Sequence, residues 1–81
     1  MNIEFTGCYT TNDLIGVSFQ ALVDRRSVQC VVSREALQDN FPTSSLEESF
    51  LLGQQCIQDV AAKKIRASHL GDVLVCTEDL S

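Results

Sequence analysis

The sequence predicts a small α+β domain, and three observations carry that prediction. Residues 15–23 and 26–32 alternate apolar and polar side chains with only Asp24-Arg25 between them, the mark of a β-hairpin. From Ser45 onward, apolar residues recur at helical spacing for more than twenty positions. A short apolar run at 72–77 then reads as a last strand. The expected order is β-β-β-α-α-β. A three-stranded antiparallel meander comes first, then a short helix, a long helix packed on one sheet face, and a C-terminal strand joining the sheet. The chain has 81 residues and 44% apolar content, enough for one core, so residues 1–81 are read as a single domain.

Residues 2–6 alternate, with Ile3 and Phe5 on one side and Glu4 on the other, and predict a short first strand. Residues 7–13 are polar and turn-like, with Tyr9 their only large apolar group. In the second strand Ile15, Val17, Phe19, Ala21 and Val23 share the face proposed for the core. Gly16, Ser18, Gln20 and Leu22 share the other. In the third strand Val28, Cys30 and Val32 share a face. A two-residue loop sets Ala21 opposite Val28, Phe19 opposite Cys30 and Val17 opposite Val32, so both apolar faces coincide. An unbulged three-residue loop would put Phe19 opposite Gln29 and turn one strand over. Asp24-Arg25 lacks the glycine that a type I′ turn prefers, which leaves a loop longer by two residues, or a bulge, as alternatives.

Ser33 is placed to cap a helix of about two turns from Arg34, with Glu35 in its first turn and Ala36, Leu37 and Phe41 on its apolar side. Pro42 disfavours helix at Phe41. Ser45-Leu46-Glu47-Glu48 matches a capping box. Leu46, Phe50, Gly53, Ile57, Val60 and Ala61 then fall on one stripe of a helix reaching about Ser68. Acids open it, Lys63, Lys64 and Arg66 close it, and Gly71 is the expected stop. A crossover past the helices would make the last strand parallel to the third. It could attach beside either outer strand of the meander.

Composition narrows the function classes. Eleven acids against six Lys and Arg give a net charge of −5, which disfavours binding to duplex nucleic acid through phosphate neutralisation. Two basic spots remain, Arg25-Arg26 and Lys63-Lys64 with Arg66, and their simplest reading is a hairpin tip and a helix C-terminus. Cys8, Cys30, Cys56 and Cys76 form no C-x-x-C pair, and with one histidine no zinc ligand set is available. Cys30, Cys56 and Cys76 sit in apolar periodic segments, as buried free thiols do. No secretory leader opens the sequence and no apolar run reaches the length of a membrane span, so a reducing cytoplasm is the expected compartment.

Few residues suggest chemistry. Ser33, Glu35, Asp39 and His69 could be assembled into a hydrolytic set, but Ser33 is accounted for as a cap. Cys8 is the one thiol in a loop-like segment, and it has no basic sequence neighbour to activate it. The four glycines, at 7, 16, 53 and 71, are isolated and form no phosphate loop. No cofactor is expected. The positive signal is leftover apolar surface: Leu51 on the polar side of the long helix, and Leu22 and Val31 on the outer hairpin face, with Leu74 and Cys76 joining them if the last strand enters the sheet.

The string Val32-Ser33-Arg34-Glu35-Ala36-Leu37-Gln38-Asp39-Asn40-Phe41 carries a resemblance. So do the hairpin from Phe19 to Cys30, Leu46-Glu47-Glu48-Ser49-Phe50, and the close Ala62-Lys63-Lys64-Ile65. Together they resemble a family of short bacterial proteins, domain of unknown function 1488, over nearly the whole chain. The resemblance implies a stand-alone α+β domain and no particular activity. Many members carry glycine in the hairpin turn where this chain has Arg25, and histidine where it has Asn40, which weakens any proposal of a family histidine as catalytic. The expected role is therefore a non-enzymatic accessory protein that meets a protein partner or forms a homodimer. The alternatives are a nucleic-acid-associated regulator using Arg25, Arg26, Lys63, Lys64 and Arg66, and a small-ligand-binding domain with a pocket between helix and sheet.

Overall fold

A computed structural model describes residues 2–68 and 72–80. The elements are β1 (Ile3–Asn12), β2 (Gly16–Val23), β3 (Arg26–Ser33), α1 (Arg34–Asn40), α2 (Leu46–Ser68), β4 (Val73–Val75) and α3 (Thr77–Leu80). The sheet order is β1-β2-β3-β4, antiparallel across the meander and parallel between β3 and β4. The α+β class and the order β-β-β-α-α-β are as expected, and the last strand takes its place beside β3.

The β2–β3 hairpin has the two-residue register. Ala21 pairs with Val28, Phe19 with Cys30 and Val17 with Val32, closed by Val23 opposite Arg26. Asp24 and Arg25 hold φ of 50° and 72°, the positive pair of a type I′ turn, so the loop is neither lengthened nor bulged. The two-residue register keeps Cys30 opposite Phe19, where an unbulged three-residue loop would set Gln29 there.

β1 corrects the sequence reading. Residues 7–13 are not a turn; the strand continues through them to Asn12. Phe5 pairs with Ala21 and Tyr9 with Phe19, so Thr6, Gly7 and Cys8 stand opposite Gln20 alone. Gly7 takes φ 85° at this bulge. Because the insertion is two residues, side-chain parity is preserved, and Ile3, Phe5 and Tyr9 all pack against the core. Ile15 is a second correction. It lies outside β2 and is 55% exposed, beside Leu14 at 88%.

The core lies between one sheet face and the helices. β2 contributes Val17, Phe19 and Ala21, β3 contributes Cys30 and Val32, and β4 contributes Val73 and Val75. α1 adds Ala36 and Leu37. α2 adds Phe50, Ile57, Ala61 and Ile65, with Leu46 and Val60 at the margin of the predicted stripe. Phe5, Phe19, Phe50 and Tyr9 form a chain of tilted rings with centroids 6.1, 5.5 and 5.1 Å apart, joining β1 and β2 to α2. Gly53 lets the ring of Phe41 lie against α2, where an added Cβ would come within 2.4 Å of it.

Both helix caps form. The Ala36 N–H donates to Ser33 Oγ at 3.1 Å, and the Glu48 N–H donates to Ser45 Oγ at 3.2 Å. The capping box of α2 is made by half, since the Glu48 carboxylate accepts the Ser44 hydroxyl (2.9 Å) and Thr43 Oγ1 receives the Ser45 N–H (3.3 Å). The C-terminal run is corrected too. β4 has three residues where 72–77 was expected, and Thr77–Leu80 form α3. The expected stop at Gly71 lies outside the described residues.

Arg25→Gly should raise stability by about 1 kcal/mol, because a side chain is removed from a left-handed position, and urea unfolding measures it. Gly16→Ala should cost at least about 3 kcal/mol: its φ is 137°, and a Cβ there would lie 2.0 Å from the Val32 carbonyl oxygen.

Candidate interaction surface

Of the residues considered for hydrolysis, Ser33 and Asp39 hold structural hydrogen bonds at α1. The Ser33 hydroxyl caps α1, Glu35 is exposed on the first turn of that helix, and Asp39 Oδ2 accepts from the Thr77 hydroxyl at 3.5 Å. His69 lies outside the described residues. Asn40, where a family histidine was expected, donates from Nδ2 to the Ala36 carbonyl at 2.9 Å, closing the end of α1. Among the described residues no group of His, Cys, Asp and Glu could hold a metal ion.

The four thiols are free. Cys8 is exposed on the β1 bulge, as its polar surroundings predicted. Cys56 corrects the sequence reading. It is exposed, because it lies on the flank of α2 away from the Phe50–Ile57–Ala61 stripe. Cys76 is half-buried. Cys30 is fully buried, and desolvation, with the nearby Asp72 carboxylate, pushes its thiol up to about 11.

The basic spots are placed as a turn and a helix end. Arg25 and Arg26 are exposed at the β2–β3 tip, and Lys63 and Arg66 are exposed on the last turns of α2. Lys64 is engaged: its Nζ donates to the Leu74 carbonyl and pairs with Asp79, each at 2.6 Å.

A cleft of about 350 Å³ opens between the β1–β2 turn, α1 and the start of α2, lined by Asp13, Arg34, Gln38, Thr43, Ser44, Ser45, Leu46 and Ser49. Its polar groups are largely committed to the loop itself. Thr43 Oγ1 donates to the Ser45 carbonyl (2.7 Å) and shares a hydrogen bond with the buried Ser49 hydroxyl (2.8 Å). Arg34 donates to the Asp13 carbonyl (3.3 Å). The cleft thus holds the α1–α2 connection in shape.

What remains is the sheet itself. Its outer face is polar, with Ser18, Gln20, Ser27 and Gln29 across β2 and β3, and Gln20 Nε2 donates to Ser27 Oγ at 2.9 Å. Val31 and Leu74 are register partners there, and Leu74 is 53% exposed. Leu22 pairs with Ser27, four residues along β3 from Val31, so the three side chains do not form one patch. The two edges differ more than the faces. At β4, Lys64 covers the central carbonyl. At β1, a ten-residue strand, Glu4 is the one charged side chain. The Asn2 carbonyl accepts from Asp24, and the Asn12 carbonyl accepts from Ile15, so the even-numbered residues at both ends of β1 turn their backbone groups toward β2. Ile3, Phe5, Tyr9 and Thr11 therefore direct their N–H and C=O groups away from the sheet.

The model of the protein family described as Protein of unknown function (DUF1488) matches residues 3–74. The chain belongs to the DUF1488 family. No curated protein matches it, and no solved structure does. The DUF1488 match begins with β1 and ends inside β4, so the β1 edge lies within the family region and α3 lies beyond it. The edge was missed in the sequence because Gly7 and the polar Thr and Asn residues mask the alternation; Tyr9-Thr10-Thr11, all strand formers, were the available signal. Among the described residues of this DUF1488 chain, no helix is long and apolar enough to cross a membrane.

Tyr9 reports on the join between β1 and α2. Its hydroxyl donates to Glu47 Oε1 at 2.7 Å, and that hydrogen bond, with desolvation and the carboxylate charge, raises its pKa above the usual 10.0. It is the sole tyrosine, so absorbance titration should give a single step above pH 10 that moves down in Glu47→Gln. The neutral phenol is the form favoured by folding, so this contribution is present below the ordinary tyrosine pKa and is lost as pH rises through the folded one.

Proposed function

We propose that this protein is a non-enzymatic accessory protein whose working surface is the open edge of β1, where it takes an extended strand from a protein partner. The observation that carries the reading is the outward row of backbone groups at Ile3, Phe5, Tyr9 and Thr11, on a strand with one charge in ten residues. Exposed edges are ordinarily blunted by lysine, proline, brevity or a bulge, and of these β1 carries only the bulge between Phe5 and Tyr9. Strand addition uses such a row for affinity and alternate side chains for selectivity. Here the alternate side chains would be read beside Glu4 and Thr10 on the outer face and beside Tyr9 on the inner one. That the Ser33 hydroxyl caps α1 and the Asp39 carboxylate accepts from Thr77 supports the non-enzymatic part of the reading.

The test is a proline scan of β1. Thr11→Pro removes an outward N–H and should leave the unfolding midpoint within a few degrees. It should abolish binding of strand-forming peptides selected from a random library, and any self-association seen by sedimentation. In the unsubstituted protein the bound strand should slow amide exchange at Ile3, Phe5, Tyr9 and Thr11. Binders that leave those four amides unprotected would sink the proposal.

A further inference from the structure

Lys64 ties the C-terminal segment down by two contacts, and β4 pairs with the strand that carries the one fully buried thiol. Lys64, from α2, reaches the edge of the sheet and donates to the Leu74 carbonyl of β4, while pairing with Asp79 of α3. The same Asp79 oxygen accepts the Cys76 N–H at 2.8 Å, so one carboxylate both starts α3 and receives Lys64. Thr77 donates to Asp39 of α1. Beneath these ties, Cys30 is the register partner of Val73, and its side chain is fully buried.

The segment is also separable. β4 pairs with β3 over three residues, Cys30–Val32 against Val73–Val75. Without it the full β1–β2–β3 meander remains, as do its contacts to Phe50, Ile57 and Ala61. A three-residue edge strand opens at lower free energy than the body it is attached to, here against the burial of Val73 and Val75.

We propose that residues 73–80 form a clasp, locked by Lys64, that opens as a unit ahead of global unfolding and uncovers the Cys30 thiol and the edge of β3. In the closed state Lys64 occupies the outer carbonyl of β4, and Cys30 is shielded from any electrophile. In the open state both the β3 edge and the thiol face solvent. Lys64 and Asp79 set the balance between the states, and Asp39 of α1 adds a weaker tie through Thr77.

The test uses the full chain with Cys8, Cys56 and Cys76 replaced by serine, so that Cys30 is the single thiol. Its reaction with an excess of an aromatic disulfide is followed by absorbance at increasing urea. The rate of Cys30 modification should show a urea slope clearly below that of global unfolding, which is measured separately by circular dichroism. Lys64→Met and Asp79→Asn should each raise that rate about fivefold, the weight of one partly exposed ion pair. Amide exchange at Val73–Val75 should quicken by the same factor, with Phe19–Ala21 unchanged. Lys64→Arg, which keeps the charge and a donor, should react close to the parent rate. The proposal is overturned if Cys30 reacts only with the slope of global unfolding, or if neither substitution accelerates it in a protein whose far-UV spectrum is unaltered.

Discussion

Nearly everything in this structure depends on the register of the β2–β3 hairpin. Asp24 and Arg25 accept positive φ, a conformation costing about 1–2 kcal/mol per L-residue, and in return Phe19 lies opposite Cys30 and Val17 opposite Val32. That choice places the apolar side chains of both strands on one face. Without that face there is nothing for Phe50, Ile57 and Ala61 to pack on, and α2 would be a solvated helix. The strained turn is stable because the core outweighs it.

The aromatic chain extends the same face outward. Phe19 touches Phe5 on one side and Phe50 on the other, and Phe50 meets Tyr9. The bulge at Gly7 keeps both Phe5 and Tyr9 inward although they pair with β2 in different registers. A one-residue bulge would have turned one of them to solvent. The insertion shapes the edge while leaving the core contacts intact.

The legible parts of the fold were those governed by periodicity or by a cap. The hairpin register followed from parity alone, and α2 runs from Leu46 to Ser68 as the capping serine and apolar stripe required. Less legible was anything decided by contacts distant in sequence. Residues 7–12 are polar by composition and become strand because β2 offers them a ladder. Cys56 looked apolar by company, yet helical phase puts it on the outer flank. Ile15 has strand parity and its carbonyl accepts the Arg34 N–H at 3.0 Å, but the turn at Asn12–Ile15 leaves its side chain exposed. α3 forms because Asp79 turns back onto Cys76, a tie only three residues long that no apolar pattern announces. The surface of interest was hidden for a related reason. An edge is a property of backbone direction and neighbours, and side-chain chemistry reports it poorly.

The two edges of the sheet have different consequences for assembly. An edge pairing between copies of one strand, related by a two-fold axis, joins two molecules and uses up that edge in both. Further growth into a ribbon would need the opposite edge, where β4 is three residues long and Lys64 sits on its central carbonyl. With β4 in place, strand pairing at the β1 edge would therefore be self-limiting. While residues 73–80 are closed, a strand added at β1 would not propagate into the stacked fibres to which open-edged sheets are prone.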